Sequence, residues 1–342
     1  MKKIVVTGGS GFIGSNLINF LIKKKFFVIN VDNNSYVSQS YNLKKINKKM
    51  YKFHKLDINN KAKLLALFKK YKPFGVFNLA AETHVDRSID NPSKFIKSNI
   101  LGVFNLLEAI RNYKKSTSEN LRLIHISTDE VYGDVIGKKS SDEKSQYKPS
   151  SPYAASKASS DHLIKAYVRT YKLNAVISNC CNNYGPAQFP EKLLPTLILN
   201  IINDKPLTIY GSGKNYREWI HVLDHCEALL KLFKHGKIGE SYNVGTGINL
   251  NNLNLTKKLL NILKAKKIKI GKNVKIKFVK DRPGHDLKYS LNSQKIKRII
   301  KWNAKIKLNE GLFETFTWYF NNQDFFKAFS KKLFYKRIGL KT

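Results

Sequence analysis

Arginine, acidic residues, cysteine and long apolar runs are all scarce in this chain of 342 residues. Only eight of its 62 basic side chains are Arg, the other 54 being Lys, and Asp plus Glu number 24, so the formal net charge is +38. Taken alone, such an excess points to nucleic acid. The shortage of Arg argues against a surface shaped for it, because Arg is the residue favoured for bidentate phosphate and guanine contacts. The lysines run through the whole chain beside abundant Asn and Ile, residues with A/T-rich codons, and this favours compositional background over a nucleic-acid site. Three cysteines, Cys180, Cys181 and Cys226, two adjacent and one odd, give no disulfide framework and fit a reducing, cytoplasmic setting. No apolar run approaches the roughly 20 residues that span a bilayer, so no membrane partner is expected. The start, Met1 to Gly8, reads as a first strand, not a signal peptide. No linker or repeat divides the chain, and no metal site is expected.

What is present is globular: 42% apolar and 12% aromatic residues in a length that suits about two domains. Nearly continuous apolar runs at Ile4–Val6, Val28–Val31, Val76–Leu79, Leu121–Ile126 and Ala175–Ile177 read as strands covered on both faces. Helical patterns lie between them at Phe12–Lys24, Lys61–Lys70, Pro92–Asn112 and Pro152–Tyr171, with Pro92 and Pro152 where a first turn accepts proline. This alternation predicts an α/β fold: a doubly wound parallel (Rossmann-type) sheet with a smaller α/β C-terminal substrate-binding region. Pro186, Pro190, Pro195 and Pro206 break the rhythm, which places a boundary near residue 180. Residues 1–180 are read as the dinucleotide domain, to which part of the later chain returns, and 181–342 as mainly substrate-binding. The tail from Asp324 to Thr342 is basic and aromatic (Phe325, Phe326, Phe329, Phe334, Tyr335) and reads as a packed or frayed helix in preference to a membrane-surface one.

Gly8, Gly9, Gly11 and Gly14 follow the first strand and open the first helix. Glycines there allow a tight turn and close approach of backbone to a pyrophosphate, which the helix N-terminus then faces. The second strand ends in Asp32, near the expected offset of ~20 residues, where a carboxylate hydrogen-bonds a ribose hydroxyl and repels a 2′-phosphate. NAD is therefore favoured over NADP, and Asn33, Asn34 and Ser35 follow with no Arg to neutralise an extra phosphate. Asp57, with Ile58, is read equally well as an adenine neighbour or as a helix N-cap.

Asp129 and Glu130 stand side by side at the end of the Leu121–Ile126 strand, after Ser127 and Thr128. Some twenty residues on, Tyr153 and Lys157 lie four apart on one helix face. An ammonium favours a phenolate, so Lys157 is expected to draw Tyr153 down from its usual pKa of about 10. The pattern alone is uninformative: about three Tyr-x-x-x-Lys matches arise by chance in a chain this rich in Lys, and Tyr41/Lys45, Tyr51/Lys55 and Tyr210/Lys214 also fit. Only Tyr153/Lys157 opens a long helix after a strand. The adjacent carboxyls read either as an acid/base pair or as a helix cap and first-turn acid.

Taken together, Thr7–Asn16, Asn78–Ile89, Ser127–Gly133, Ser151–Lys157, Asn182–Pro186, Phe189–Pro195, Arg217-Glu218-Trp219 and Arg282–Asp286 resemble an extended short-chain dehydrogenase/reductase, and within it the dTDP-glucose 4,6-dehydratase family. The resemblance implies NAD-dependent oxidation at sugar C4, loss of water across C5–C6 and reduction at C6. It implies that Tyr153, assisted by Lys157 and Thr128, takes the O4 proton, Glu130 takes the C5 proton, and Asp129 protonates the departing O6. It places Gly8, Gly11, Phe12, Ile13, Gly14, Asp32 to Ser35, Asp57, Ile58, Tyr153 and Lys157 at the cofactor. Leu79, Ala80, Ala81, Glu82, Thr83, Ser98 and Asn183 join them there. Thr83, Asp86, Thr128, Asn182, Lys192, Leu193, Tyr210, Arg217, Arg282 and His285 are placed at the sugar nucleotide, while His84 and His221 are read as structural.

The family is typically a homodimer pairing helices at about 92–112 and 151–171. Alternatives stay open. The same reaction on UDP-glucose is one, and a sugar-nucleotide 4-epimerase, which needs no elimination acid/base pair, is another. A basic nucleic-acid-binding protein on this scaffold is the reading from a different class, and steep salt dependence of binding would favour it.

Overall fold

The computed structural model describes residues 1–135, 137, 139–327, 329 and 339. In its first half β1 (Lys3–Thr7), β2 (Phe27–Asp32), β3 (Tyr51–Lys55), β4 (Gly75–Asn78), β5 (Arg122–Thr128) and β6 (Ala175–Cys180) alternate with helices. These are α1 (Phe12–Lys23), α2 (Lys61–Tyr71), α3 (Val85–Asp90), α4 (Ser93–Phe95), α5 (Gly102–Thr117) and α6 (Pro152–Tyr171). Then come β7 (Asn182–Tyr184), α7 (Leu193–Ile202), β8 (Leu207–Tyr210), β9 (Tyr216–His221), α8 (Val222–His235), β10 (Ser241–Val244), β11 (Asn249–Asn251) and α9 (Asn252–Ala265). β12 (Ile276–Val279), α10 (Leu308–Asn321) and α11 (Asp324–Lys327) complete the order.

The main sheet is parallel, in the order β10-β6-β5-β4-β1-β2-β3, so β10 returns to its edge from late in the chain. Alternate residues feed two cores. Val6, Phe77 and Ile124 pack under α1 and α8, and Val5, Val76 and Leu123 pack under α2, α5 and α6. Both faces are thus covered, which explains the unbroken apolar runs, and each buried Val, Leu, Ile or Phe contributes roughly 1.5–3 kcal/mol. Strand order reverses at β1, which pairs with β2 on one side and β4 on the other. A ligand crevice opens beyond the C-terminal ends of the strands at such a reversal.

β11-β9-β7 and β12-β8 form two small sheets, and α7, α9 and α10 pack with Phe325, Phe326 and Phe329 into a third core. The aromatic tail thus packs as far as Phe329; Phe334 and Tyr335 lie outside the described residues.

Two helices bear directly on the site. At α6, Ser151 accepts from the Ala154 N–H (3.1 Å), Pro152 occupies the first turn, and Lys172 ends the helix in a left-handed conformation (φ 53°). The single helix expected over Pro92–Asn112 is instead α4, a π-helical stretch (Ile96–Leu101) and α5, preceded by the separate turns of α3. The wider π turn carries Ser98 to the cleft and Asn99 to the loop beyond β4, and π segments recur at functional sites for this reason.

Candidate active site

One cleft runs across the C-terminal ends of β1, β2, β4, β5 and β6. At one end its floor is backbone. Gly8 sits at φ 64°, and a Cβ there would lie 2.6 Å from the Ala80 nitrogen. A Cβ on Gly14 would lie 2.3 Å from the Gly8 carbonyl oxygen. Side chains would fill this cradle, so glycine is required for a pyrophosphate to reach the N-terminus of α1. Gly11, Phe12 and Ile13 complete that edge, and NAD fits the donor set around it. Asp32 is buried, its Oδ2 accepting from Ser10 N–H (2.9 Å) and its Oδ1 from Asn34 N–H (2.8 Å) and the Ser38 hydroxyl (2.7 Å). Two carboxylate oxygens carry about four acceptor sites, which leaves room for a ribose hydroxyl.

Asn33, Ser35, Asp57 and Ile58 line the same end. Asn34 is not among the lining residues; it shapes the turn from a left-handed conformation (φ 58°). Asp57 does not cap α2. That place is taken by Asn60, which accepts from Lys63 N–H, while Asp57 accepts from Asn59 and Asn33. Across the cleft run Leu79, Ala80, Ala81, Glu82, Thr83 and Ser98. Their loop is pinned by the buried Asn99, which bonds both the N–H and the C=O of Glu82 and reaches the Ser156 hydroxyl. Sequence reasoning missed Asn99; its signal is an Asn in an otherwise helical run.

In the middle lie the groups able to move protons. Thr128 ends β5 and accepts from the Glu130 N–H, so it, and neither carboxyl, caps the short turn Asp129–Tyr132. Asp129 Oδ2 and Glu130 Oε2 are buried without hydrogen-bond partners. Burial, with Glu130 and Glu218 nearby, pushes the Asp129 carboxyl well up. Burial also raises Glu130, but Arg282, Arg217 and Lys192 oppose it and favour the carboxylate. Both carboxyls are thus raised, Asp129 the further of the two, because cations stand by Glu130 and carboxyls by Asp129.

Tyr153 and Lys157 line the same cleft, and here the expectation of a depressed Tyr153 is overturned. Burial, then Glu130 and Cys180, push the phenol well above its usual value, outweighing a hydrogen bond from Thr128. The Lys157 ammonium is directed elsewhere: Nζ donates to the Ile126 carbonyl (2.7 Å) and lies 3.3 Å from His125 Nε2. Its own pKa is pushed down to about 8 by burial. Asn78, held by Thr7, donates to His125 Nδ1, which leaves the imidazole proton on Nε2.

At the other end the groups are charged. Lys192 donates to the Thr83 carbonyl (2.8 Å), and Asn182, Asn183 and Leu193 line the cleft beside it. Asn183 is oriented by the buried His225 (2.8 Å). Arg282 donates to Asp86 Oδ1 (2.7 Å) and Tyr210 to Asp86 Oδ2 (3.1 Å). Arg217 is buried, donates to the Asp286 carbonyl and lies over the Tyr289 ring (4.3 Å). His285 is bonded to Asp281 (2.7 Å). Neither arginine is a surface ion-pair partner. Asp86, Tyr210, Arg217, Arg282 and His285 do not line the cleft, but both arginines act electrostatically on Glu130. His84 and His221 are held near pKa 4 by burial, and His221 caps α8. Gln188, Glu191 and Trp219 line the cleft and were not predicted to. The indole N–H of Trp219 is buried and unpartnered.

Residues 5–315 match the family described as GDP-mannose 4,6 dehydratase. A dTDP-glucose 4,6-dehydratase of Neisseria meningitidis serogroup B is 43% identical, with 94% of each chain covered. The crystal structure of DesIV, a dTDP-glucose 4,6-dehydratase from Streptomyces venezuelae with NAD and TYD bound, superposes with a TM-score of 0.87 at 37% identity, covering 94% of this chain and 98% of that one. A UDP-glucose 4-epimerase from Thermotoga maritima superposes almost as well, with a TM-score of 0.84 at 28% identity over 94% and 99%. The fold is therefore shared with epimerases, and the distinction between the two activities lies in the site.

Proposed function

The chain belongs to the GDP-mannose 4,6-dehydratase family, and from that premise we propose that it catalyses the NAD-dependent 4,6-dehydration of dTDP-glucose to the 4-keto-6-deoxy sugar. The observation that carries this reading is the pair Asp129–Glu130: adjacent carboxyls in one cleft, both raised by burial, Asp129 further by its acidic neighbours and Glu130 held back by cations, each with an unpartnered buried oxygen. NAD, when bound, supplies the oxidant for C4, the reductant for C6 and a positive charge in a buried site. Tyr153, as the phenolate, takes the O4 proton and becomes a phenol, with Thr128 beside it. The ketone at C4 acidifies C5, where Glu130 removes the proton. Asp129, held protonated by burial and its acidic neighbours, protonates O6 as water leaves. Glu130 then returns its proton to C5. Arg217, Arg282, Lys192 and Asn182 hold the diphosphate end, where Arg suits planar phosphate contacts. Incubation of the purified chain with dTDP-, UDP- and GDP-glucose and NAD tests the reading: 4-keto product from dTDP-glucose is expected, and none from any of the three sinks it.

The division of labour follows the cores: residues 1–180 with β10 hold the cofactor, and most of 181–342 holds the sugar nucleotide. A homodimer is part of the proposal. Ile96, Leu101 and Phe104 are 45%, 49% and 40% exposed on the segment facing away from the sheet, and Tyr171 of α6 is 37% exposed. Sedimentation should give a dimer that Leu101→Asp converts to monomer, and a wild-type monomer would refute it. Among the described residues no helix is long and apolar enough to cross a membrane. The three cysteines are free and buried, which supports a reducing, cytoplasmic location.

A further inference from the structure

Behind the face of α6 that carries Tyr153 and Lys157 lies a buried carboxyl that the proposed reaction does not use. Asp161 follows Lys157 by four residues, so the two share one side of the helix. Lys157 lines the cleft, whereas Asp161 and His125 do not and are 0% exposed. A carboxylate in such a place is costly unless it is both hydrogen-bonded and paired with a cation.

Asp161 is hydrogen-bonded as an anion. Its Oδ2 accepts from the Ser127 hydroxyl (2.8 Å), the Tyr147 phenol (3.0 Å) and the Asn179 amide (3.2 Å), donors drawn from β5, the loop before α6 and β6. Three donors on one oxygen favour the carboxylate. Its Oδ1 is buried, has no hydrogen-bond partner and lies 3.6 Å from His125 Nε2. That nitrogen carries the imidazole proton, because Nδ1 accepts from Asn78. The same nitrogen stands 3.3 Å from Lys157 Nζ. Ser160, whose hydroxyl donates to the Lys157 carbonyl, offers only its acceptor side there (3.3 Å). Burial and the Lys157 charge keep His125 neutral. A cation and an anion are thus brought together at one uncharged ring.

The other titratable groups around Lys157 are Tyr153 on α6, Asp129 and Glu130 on the turn after β5, and Cys180 on β6; Tyr132 and Tyr147 face Asp161. Burial pushes the ammonium down, and Asp161 is the first group to oppose it. Cys180 comes second, but burial pushes that thiol up to about 12, so it carries no charge. In return, Lys157 is the first group to oppose the rise that burial imposes on Asp161.

We propose that Asp161 is a positioning residue, the buried counter-charge that holds the Lys157 ammonium in the site across His125. It lies outside the cleft and moves no proton; it acts through its charge alone. Its effect on activity rests on the dehydratase reading above, whereas the pairing of the two charges does not.

Two measurements test it. The first is denaturant titration of the protein in excess NAD. Asp161→Asn keeps an oxygen for the three donors and removes the charge, and Lys157→Met removes the cation. Each should lower the midpoint, and the double variant should lie above the midpoint that the two shifts predict when added. Additive shifts overturn the pairing. Where either single variant does not fold, a folded double variant supports the pairing and an unfolded one overturns it.

The second is kcat against pH for the NAD-loaded enzyme with dTDP-glucose. Without Asp161 the ammonium releases its proton sooner, so the alkaline decline of kcat should move about 1 unit or more to lower pH in Asp161→Asn, with KM unchanged. Tyr147→Phe removes a donor to the same carboxylate but keeps the charge, and should leave the decline where wild type has it. A decline that stays in place in Asp161→Asn, or moves equally in Tyr147→Phe, overturns the proposal. Absence of 4-keto product in the wild type defeats the dehydratase reading and leaves the result of the titration standing.

Discussion

At the glycine-loop end the cleft is built from backbone, whereas beyond its far end stand charged side chains that meet across the chain. The loop Gly8–Gly14 and the end of β2 lie within 25 residues of one another in sequence and act through amides, a helix terminus and one carboxylate. The Arg282–Asp86 pair joins residues 196 positions apart, and Tyr210–Asp86 joins residues 124 apart. The first kind of site fails when an atom is added, the second when a charge or a planar geometry is lost. Asp129 and Glu130 lie between, and the charged end acts on them.

Four experiments break or sharpen that contrast. The largest effect is expected at the centre: Glu130→Gln should lower kcat for 4-keto product by about 10²–10⁴-fold, the usual worth of a positioned acid or base. A variant within a few-fold of wild type would return the epimerase reading. Next, Arg282→Lys keeps the charge but loses the planar guanidinium that donates to Asp86, and kcat/KM for dTDP-glucose should fall about 10–100-fold, in line with a charged hydrogen bond. Bound NAD, measured after denaturing the protein, should be unchanged; its loss would mean the two ends are not independent.

Gly14→Ala is the converse. Its Cβ would meet the Gly8 carbonyl and Gly9 Cα, so the variant should lose roughly 1–3 kcal/mol of stability in denaturant titration, the scale of overpacking. It should also release NAD while calorimetry still detects dTDP binding. Smallest is the pH response of Lys157. Its folded pKa, about 8, lies below its ordinary value of 10.5, so the buried ammonium costs stability fully below pH 8. That cost is relieved as pH rises from about 8 towards 10.5. Over the same window the positive charge is lost from the site, so kcat should decline above pH 8. A kcat profile flat from pH 7 to 9.5 would remove the ammonium from the mechanism.

The strands, α1, α2, α6 and the glycine loop were legible because each depends on local periodicity and on caps a few residues away, as with Ser151, Pro152 and Lys172 around α6. The helix expected over Pro92–Asn112 was only partly legible. Its hydrophobic pattern is helical, but the π turn that presents Ser98 and Asn99 is tied to the loop beyond β4, where Asn99 bonds Glu82. The Asp57 ambiguity was resolved by a neighbour, Asn60, that took the cap. The Tyr153–Lys157 spacing suggested a phenol drawn down by an ammonium. In the fold, Lys157 faces Ile126 and His125 while burial raises the phenol. Spacing along a helix places two side chains on one face; it does not say what each one touches.

By itself the sequence determined the doubly wound sheet, the dinucleotide cradle and the identity of the adjacent carboxyls, since these rest on period, turn chemistry and residue type over short spans. Only the tertiary structure decided what those carboxyls are. Glu218, from β9, lies beside Asp129, and Arg217, Arg282 and Lys192 bear on Glu130, all from beyond residue 190. A carboxyl's protonation is set by the charges and the water around it, and those are gathered by folding.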